Sequence, residues 1–385
     1  MRYTIPDYYK EFRCTADQCE DTCCAGWQII IDRKSLRNYG KVQGEFRRRM
    51  FHSVDWINGI FRQDKEKRCA FLNESNLCDL YTSLGEKSLC RTCRLYPRHI
   101  EEFESVREIT LSVSCPEVAK MLMGRQEPVR FRTYEKNGEE EYEDFDPFLY
   151  SILVDAREAM LIILQNRELA IGVRGTMVLG MAHDIQVRVK HRELFSCTEV
   201  IERYQTKRAQ RFAEKQCAEF TSEDGMQRQY DLAHRTFREL YELELLRGDW
   251  DMVLMEAEGI LYAGGAERYR EISEQFLKWQ KEKMPEMEIQ LEQLMVYFLF
   301  TYFCGAVYDE KIYAKARMVV ESVFLIRELW KARWVRNGKM LDTEEMTELV
   351  YRYSREIEHS DENLERMQKK GDYKASCSSE GKCVK

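Results

Sequence analysis

Apolar residues recur at helical spacing over most of the chain beyond residue 146, whereas the first 125 residues hold only short apolar runs. This spacing predicts helices over residues 147–166, 174–190, 197–214, 226–246, 252–261, 266–283, 287–308, 312–336 and 344–359. Asp146 before Pro147 is typical of an N-cap and first helical position, and Asp342 with Glu345 is typical of a capping box. The pattern therefore predicts a mainly α fold.

The first 125 residues predict a different kind of structure. The β-branched stretches 28–34 and 109–115 predict short strands, and residues 41–51 and 116–123 predict short helices. Because so little continuous apolar pattern joins these elements, a metal site that cross-links distant loops would stabilise them. We expect a small cysteine-rich, loop-rich metal or cluster module with short strands, joined to an all-helical C-terminal region.

The domain boundary is predicted between these two parts. Residues 126–146 contain Pro128, the turn signal Asn137–Gly138 and an acidic run over 139–146. The predicted organisation is a cysteine-rich module over 1–125, an acidic linker over 126–146, a helical domain over 147–370 and a flexible tail over 371–385. The two tail cysteines, Cys377 and Cys383, are expected to be incidental.

Composition and charge exclude several classes of protein. The 385 residues are 44% hydrophobic, which supplies a core, and the apolar stretch 294–307 falls short of the roughly 20 residues that span a bilayer. Residues 1–125 hold 21 Lys and Arg against 18 Asp and Glu, and the remainder holds 39 against 49. The acidic C-terminal part disfavours nucleic acid and suits cationic ligands or lysine-bearing surfaces. We expect no membrane and no nucleic-acid partner.

Nine of the 14 cysteines fall within the first 115 residues. They are Cys14, Cys19, Cys23, Cys24, Cys69, Cys78, Cys90, Cys93 and Cys115. The N-terminus lacks the apolar run of a secretory signal, so we expect a cytoplasmic protein whose thiols are reduced and bind metal. Four thiolates suit zinc or an iron–sulfur cluster equally well, and nine are enough for two such shells.

Candidate catalytic residues lie near the end of the helical part. Residues 355–363 form its densest polar cluster, in which Arg355, His359 and Glu362 would share one helix face. Tyr302 and Tyr308 could line a pocket with Asp309, and His183 beside Asp184 is a further pair. A solvated helix end and buried core tyrosines are the alternative interpretations. From these groups we select His359, Glu358 and Tyr302 as the catalytic candidates.

Several segments carry a resemblance to a known family. The cysteine segments are CTADQCEDTCCAGW, CAFLNESNLCDLY, CRTCRLYPR and SVSCPEVAKMLM, and the C-terminal ones are YFLFTYFCGAVYD and YSREIEHSDENLE. Together they resemble the cysteine-rich proteins with a zinc- or iron-chelating domain, and more narrowly their flagellin lysine-N-methylase (FliB-type) branch.

The resemblance implies an enzyme that transfers methyl groups from S-adenosylmethionine to lysine ε-amines of flagellin or another lysine-bearing protein. It also implies an iron–sulfur cluster, 4Fe–4S rather than zinc, held by the nine N-terminal cysteines. The alternative is an iron- or zinc-binding storage, sensor or redox module without methyltransferase activity.

Overall fold

A computed structural model describes residues 1–137 and 146–369, which contain six strands and sixteen α-helices. The strands are β1 (Arg2–Pro6), β2 (Val54–Asp55), β3 (Ile60–Phe61), β4 (Arg98–Phe103), β5 (Val106–Leu111) and β6 (Phe131–Glu135). The helices of the first part are α1 (Arg33–Tyr39), α2 (Phe46–Ser53), α3 (Asp79–Leu84), α4 (Arg91–Leu95) and α5 (Pro116–Met123).

The second part is helical throughout, which confirms the mainly α prediction. Its helices are α6 (Pro147–Leu164), α7 (Ile171–Lys190), α8 (Cys197–Tyr204), α9 (Lys207–Phe220), α10 (Met226–Arg238), α11 (Trp250–Tyr262), α12 (Gly265–Lys283), α13 (Met287–Tyr302), α14 (Ile312–Arg336), α15 (Thr343–Glu358) and α16 (Asp361–Lys369). The predicted tail, with Cys377 and Cys383, and the acidic residues 138–145 lie outside the described residues.

Four strands from the two ends of the N-terminal part form one sheet in the order β4-β5-β1-β6. β1 runs parallel to β5 and antiparallel to β6, and β4 and β5 form a hairpin. The segment predicted as an acidic linker therefore contributes a strand. β5 ends at Leu111 instead of continuing to Cys115, because Pro116 occupies the first turn of α5.

The prediction of a strand over residues 28–34 is wrong. Ile30 forms only an isolated bridge to Ile60, and a helix begins a few residues later. The reason is local, since the Asp32 side chain accepts a hydrogen bond from the Ser35 amide at 2.9 Å and caps α1. An N-capping hydrogen bond thus outweighs the β-branched content of this stretch.

Local start signals predict the long helices well and their ends less well. Asp146 accepts hydrogen bonds from the Phe148 and Leu149 amides, and Asp342 accepts one from the Glu345 amide, which confirms both predicted N-caps. The helix predicted over 197–214 is interrupted between α8 and α9. The helix predicted over 287–308 ends at Tyr302, whereas the one predicted over 344–359 ends at Glu358, within one residue of its predicted end.

The apolar stretch 294–307 lies in the hydrophobic core, as predicted. Every residue of α13 from Gln290 to Tyr302 is buried, and the following turn of 3₁₀ helix over Phe303–Val307 is mostly buried as well. Among residues 1–137 and 146–369, no helix has the length and apolar character that a membrane crossing requires.

The described residues form two hydrophobic cores. The main core joins the helices of the second part to the sheet and α5, with Leu111 and Val118 packed among residues of α6 and α13. The smaller core lies between residues 29 and 90 and includes Phe71, Cys69 and Cys90. The main core therefore takes in residues on both sides of segment 126–146.

Buried ion pairs connect the sheet and the helices. Arg157 of α6 makes a two-fold hydrogen bond to the carboxylate of Glu108 on β5, with both N–O distances 2.5 Å. Arg174 of α7 donates to Glu292 of α13 at 2.7 Å, and Arg167 reaches the same carboxylate. Such pairs fix the placement of elements because a buried charge without its partner is costly.

Candidate functional site

The nine N-terminal cysteines are free thiols. They form two groups, and the thiols within each group lie close enough to affect one another's pKa values. The inner thiol group belongs to the smaller core and its edge, and consists of Cys24, Cys69, Cys78, Cys90 and Cys93. The junction thiol group lies beside Arg355 of α15 and consists of Cys14, Cys19, Cys23 and Cys115. Adjacent Cys23 and Cys24 join the two groups.

Desolvation and mutual hydrogen bonding set the pKa values of these thiols. Burial raises the pKa of Cys69 to about 12 and that of Cys115 to about 11. The hydrogen bond from Cys23 instead lowers the pKa of Cys24 to about 7. Most of these thiols therefore stay protonated at neutral pH unless a bound cation stabilises the thiolate form.

The donor chemistry of the two thiol groups suits a soft metal ion or a cluster. Their geometry does not form a shell: across the described ranges 1–137 and 146–369, no three His, Cys, Asp or Glu side chains converge on a point that could hold a metal ion. The predicted ligand roles of the nine cysteines stay predictions, and no reaction step is derived through a metal or cluster.

Helix α15 connects the junction thiol group to the helical part. Its buried Arg355 donates to the Asp21 carboxylate at 2.7 Å and to the Ser114 carbonyl at 2.8 Å. Arg247 contacts the same Asp21 carboxylate at 2.5 and 2.6 Å. The loop between Cys19 and Cys23 is therefore held by two arginines from the second part of the chain.

A network of hydroxyl groups surrounds the carboxylate of Glu358, the last residue of α15. Glu358 Oε2 accepts from the Tyr297 hydroxyl at 2.5 Å, from the Tyr302 hydroxyl at 2.9 Å and from the Ser112 hydroxyl at 3.1 Å. The Ser354 hydroxyl donates to Oε1. We call these five residues the Glu358 network.

The Glu358 network has one partly exposed side. Tyr297 and Tyr302 are buried, but Glu358 keeps intermediate exposure, as does His99, whose ring packs 5.5 Å from that of Tyr302. Desolvation raises the pKa of Glu358 and outweighs the stabilisation that its hydroxyl donors give the carboxylate. A carboxyl group with a raised pKa can accept or donate a proton nearer neutrality than an ordinary glutamate.

His359 lies next to this network and is connected to it through two serines. Its Nε2 is 3.0 Å from the Ser114 hydroxyl, which is 2.6 Å from the Ser112 hydroxyl. The imidazole ring packs on Trp27 with centroids 4.4 Å apart. Desolvation, assisted by nearby Arg355, lowers the pKa of His359 to about 3, so the ring is neutral at physiological pH.

The structure thus brings the three predicted catalytic residues together: Tyr302 bonds Glu358 directly, and His359 connects to it through Ser114 and Ser112. It does not form the predicted helix face of Arg355, His359 and Glu362. The helix ends at Glu358, and exposed Glu362 belongs to α16, where it pairs with Arg366.

The other predicted polar pairs lie elsewhere. Tyr308 donates to the Glu102 carbonyl at 2.5 Å and Asp309 pairs with Lys315, so neither belongs to the Glu358 network. His183 contacts Asp184 at 2.9 Å on α7, where the same carboxylate also accepts from Tyr204.

Tyr297, Ser112, Ser114 and Ser354 were not predicted from the sequence as site residues. Ser112 and Ser114 lie in the turn between β5 and α5, where their hydroxyls meet at 2.6 Å, and the alternation of SVSC predicts a strand there and not this turn. Tyr297 lies inside an apolar helix, where a tyrosine is usually core, and only its partner Glu358 reveals its polar role.

A separate open cavity of about 340 Å³ lies between α10 and α11. It is lined by His234, Met255, Glu258, Gly259, Tyr262 and Ala263. His234 Nε2 lies 2.7 Å from the Glu258 carboxylate, and the His234 ring stacks on Tyr262 with centroids 4.7 Å apart. None of these residues was predicted from the sequence to belong to a site. We refer to this cavity, with the six residues that line it, as the His234 cavity.

Residues 157–376, more than half of the chain, match the family described as FliB lysine N-methylase C-terminal domain. The chain belongs to this family. The resemblance to FliB-type proteins is therefore confirmed at the level of the family, and the matched range includes Tyr302, Glu358, His359 and the whole His234 cavity.

Curated relatives of this FliB-family chain carry consistent names. Lysine-N-methylase proteins of Salmonella typhimurium (strain LT2) and Salmonella choleraesuis (strain SC-B67) are each 27% identical over 130 residues, which is 31% of this chain and 32% of theirs. The flagellar biosynthetic protein FliU of Salmonella muenchen is 27% identical over 132 residues, 31% of this chain and 76% of its own length. The chain thus matches about a third of the length of the two lysine-N-methylases. No solved structure is similar to the chain.

Proposed function

We propose that this protein is a lysine N-methyltransferase that uses S-adenosylmethionine and acts on flagellin or another lysine-bearing protein in the cytoplasm. The observation that carries the proposal is the family match over residues 157–376. The relatives' names, lysine-N-methylase and flagellar biosynthetic protein FliU, support the substrate class. Free thiols throughout the N-terminal part support a reducing compartment.

The chemistry requires a neutral amine. The lysine nitrogen lone pair forms a bond to the methyl carbon while the carbon–sulfur bond breaks and its electron pair stays on sulfur, leaving a neutral thioether. The proton that the lysine sheds goes to a base or to water. Orientation and desolvation of the amine supply most of the rate enhancement in such a displacement.

We assign the proton-accepting role to the Glu358 network. Glu358 has a desolvation-raised pKa and intermediate exposure, and His359 supplies a neutral imidazole beside it. Tyr302 donates to Glu358 and would orient its carboxylate toward an amine. In this proposal the Glu358 carboxylate accepts the proton. Tyr302 and His359 hold that carboxylate in position, Tyr302 directly and His359 through Ser114 and Ser112.

The direct test is methyl transfer in vitro. Purified protein is incubated anaerobically with isotopically labelled S-adenosylmethionine and flagellin, and labelled lysines are identified by mass spectrometry. We expect label on lysine for the native protein, a loss of at least tenfold in kcat for Glu358→Gln, and native activity for the exposed control Glu362→Gln. Absence of label with the native protein would contradict the proposal.

We also propose that the nine N-terminal cysteines hold an iron–sulfur cluster. The soft donor set and its two thiol groups support this, and loading would require the sulfur atoms to draw closer than they are here. We expect Cys23→Ser and Cys90→Ser to lose iron and acid-labile sulfide together, while Cys377→Ser loses neither. Zinc without sulfide would instead indicate a zinc module, and equal iron in all variants would contradict the ligand assignment.

A further inference from the structure

The His234 cavity is a second polar site, distinct from the Glu358 network. Tyr262, which lines it, is fixed by two ring contacts and one hydrogen bond. Its ring stacks with His234 at 4.7 Å and with Tyr269 at 5.3 Å, and its hydroxyl donates to buried Glu328 at 2.7 Å. Lys331 in turn contacts Glu328 at 2.6 Å, so a buried ion pair supports the wall.

The cavity presents one carboxylate in a defined position. Glu258 is held by His234 Nε2 at 2.7 Å and by a hydrogen bond from the Tyr241 hydroxyl. Although desolvation opposes it, these two donors lower the pKa of Glu258, so the carboxylate is ionised at neutral pH. Arg238 lies 3.9 Å away, but its side chain is 69% exposed and such contacts are weak.

The rest of the lining is open and partly apolar, which suits the aliphatic part of a long side chain. A Cβ added at Gly259 would meet no atom within 4 Å, so this part of the helix faces open space. Met255 lines the cavity and Met252 lies one turn before it, and their exposed fractions are 64% and 62%. Exposed methionines adapt to different apolar partners and are common at peptide-binding surfaces.

We propose that the His234 cavity binds a lysine side chain of the protein substrate, with the ammonium at Glu258 and the aliphatic stem along Met255 and Gly259. This inference rests on the proposed function, since it assigns that enzyme a substrate-recognition site outside the Glu358 network. S-adenosylmethionine fits less well, because its carboxylate and ribose need several hydrogen-bond partners and the six lining residues offer few.

The binding test uses peptides without a methyl donor. A fluorescein-labelled amphipathic peptide with one central lysine is titrated by anisotropy, and the matched peptide carries norleucine, which keeps the stem and removes the charge. We expect the lysine peptide to bind at least about tenfold more tightly, because norleucine cannot donate the charge-assisted hydrogen bonds that the ammonium makes to Glu258. Equal affinity for the two peptides would overturn the proposal, and so would displacement of the peptide by S-adenosylmethionine.

Two variants and a control locate the binding. Glu258→Gln removes the charge, and Gly259→Leu fills the cavity from a helical position where a side chain meets no clash. Both should weaken lysine-peptide binding at least about tenfold, whereas Glu282→Gln, an exposed carboxylate at the far end of α12, should not. Thermal unfolding of each variant confirms that it is folded, and unchanged affinity in both folded variants would contradict the site.

Kinetics separate this inference from the proposed function. If both hold, Glu258→Gln raises KM for the protein substrate and leaves kcat nearly unchanged, because it removes binding that is equally strong in the ground state and in the transition state. A fall in kcat at constant KM would overturn the recognition role. If the native protein binds the lysine peptide through Glu258 but transfers no methyl group, the inference stands and the proposed function fails.

Discussion

Glu358 depends on hydroxyl groups from three separate elements. Tyr297→Phe removes one of the four hydroxyl donors to Glu358, which lies 2.5 Å from Oε2, and leaves a desolvated carboxyl group short of a donor. We expect the free energy of unfolding to fall by about 1–3 kcal/mol. Urea titration measures this, with Tyr134→Phe on the exposed face of β6 as the comparison. Equal losses in the two variants would show that Glu358 does not need this donor.

His359 makes the free energy of unfolding depend on pH. Its pKa is about 3 in the folded state and about 6.5 in an unfolded chain, so the unfolded state binds more protons between these values. The stabilisation is present above pH 6.5 and is lost as the pH falls toward 3. We expect native protein to lose about 2 kcal/mol more than His359→Gln between pH 7 and pH 5. Urea titrations at the two pH values test this, and parallel losses would refute it.

At the scale of elements, α15 places Glu358 and His359, and its start depends on one side chain. The Asp342 carboxylate accepts a hydrogen bond from the Glu345 amide at 2.8 Å. We expect Asp342→Ala to cost about 1 kcal/mol, whereas Asp342→Asn keeps an acceptor and costs little. Chemical denaturation of the two variants provides the comparison, and identical stabilities would mean that the cap contributes nothing.

Element starts were predictable because their signals are local. Asp146 and Asp342 cap the helices that the sequence assigned to them. The strand expected over residues 28–34 failed because Asp32 caps a helix there, and β1 was missed because its alternation of polar and apolar residues covers only the four residues before Pro6. The end of α15 at Glu358 lies within one residue of its predicted end, whereas the helix predicted to reach residue 308 ends at Tyr302 and passes into a 3₁₀ helix over Phe303–Val307.

For the whole molecule, the buried pair of Glu108 and Arg157 joins the sheet to the helical part. We expect Glu108→Gln to cost about 3–5 kcal/mol, since it leaves the arginine charge buried without its partner. The double variant with Arg157→Met should cost less than the sum of the two single variants. As a control, Glu362→Gln breaks the exposed ion pair with Arg366 and should change the free energy of unfolding by less than about 1 kcal/mol. Additive losses in the buried pair would argue against this coupling.

The sequence by itself determined the long helices, the N-caps and the presence of nine closely spaced thiols, because periodicity, capping and spacing are properties of neighbouring residues. It also selected Glu358, Tyr302 and His359 as candidates. Only the tertiary structure decided that Ser112 meets Glu358 across 246 positions of the chain, and that His234 and Glu258 face one cavity. The first contact arises where α13 packs on β5 and α15 packs on α5, and the second where α10 packs on α11, so no short stretch of sequence encodes either.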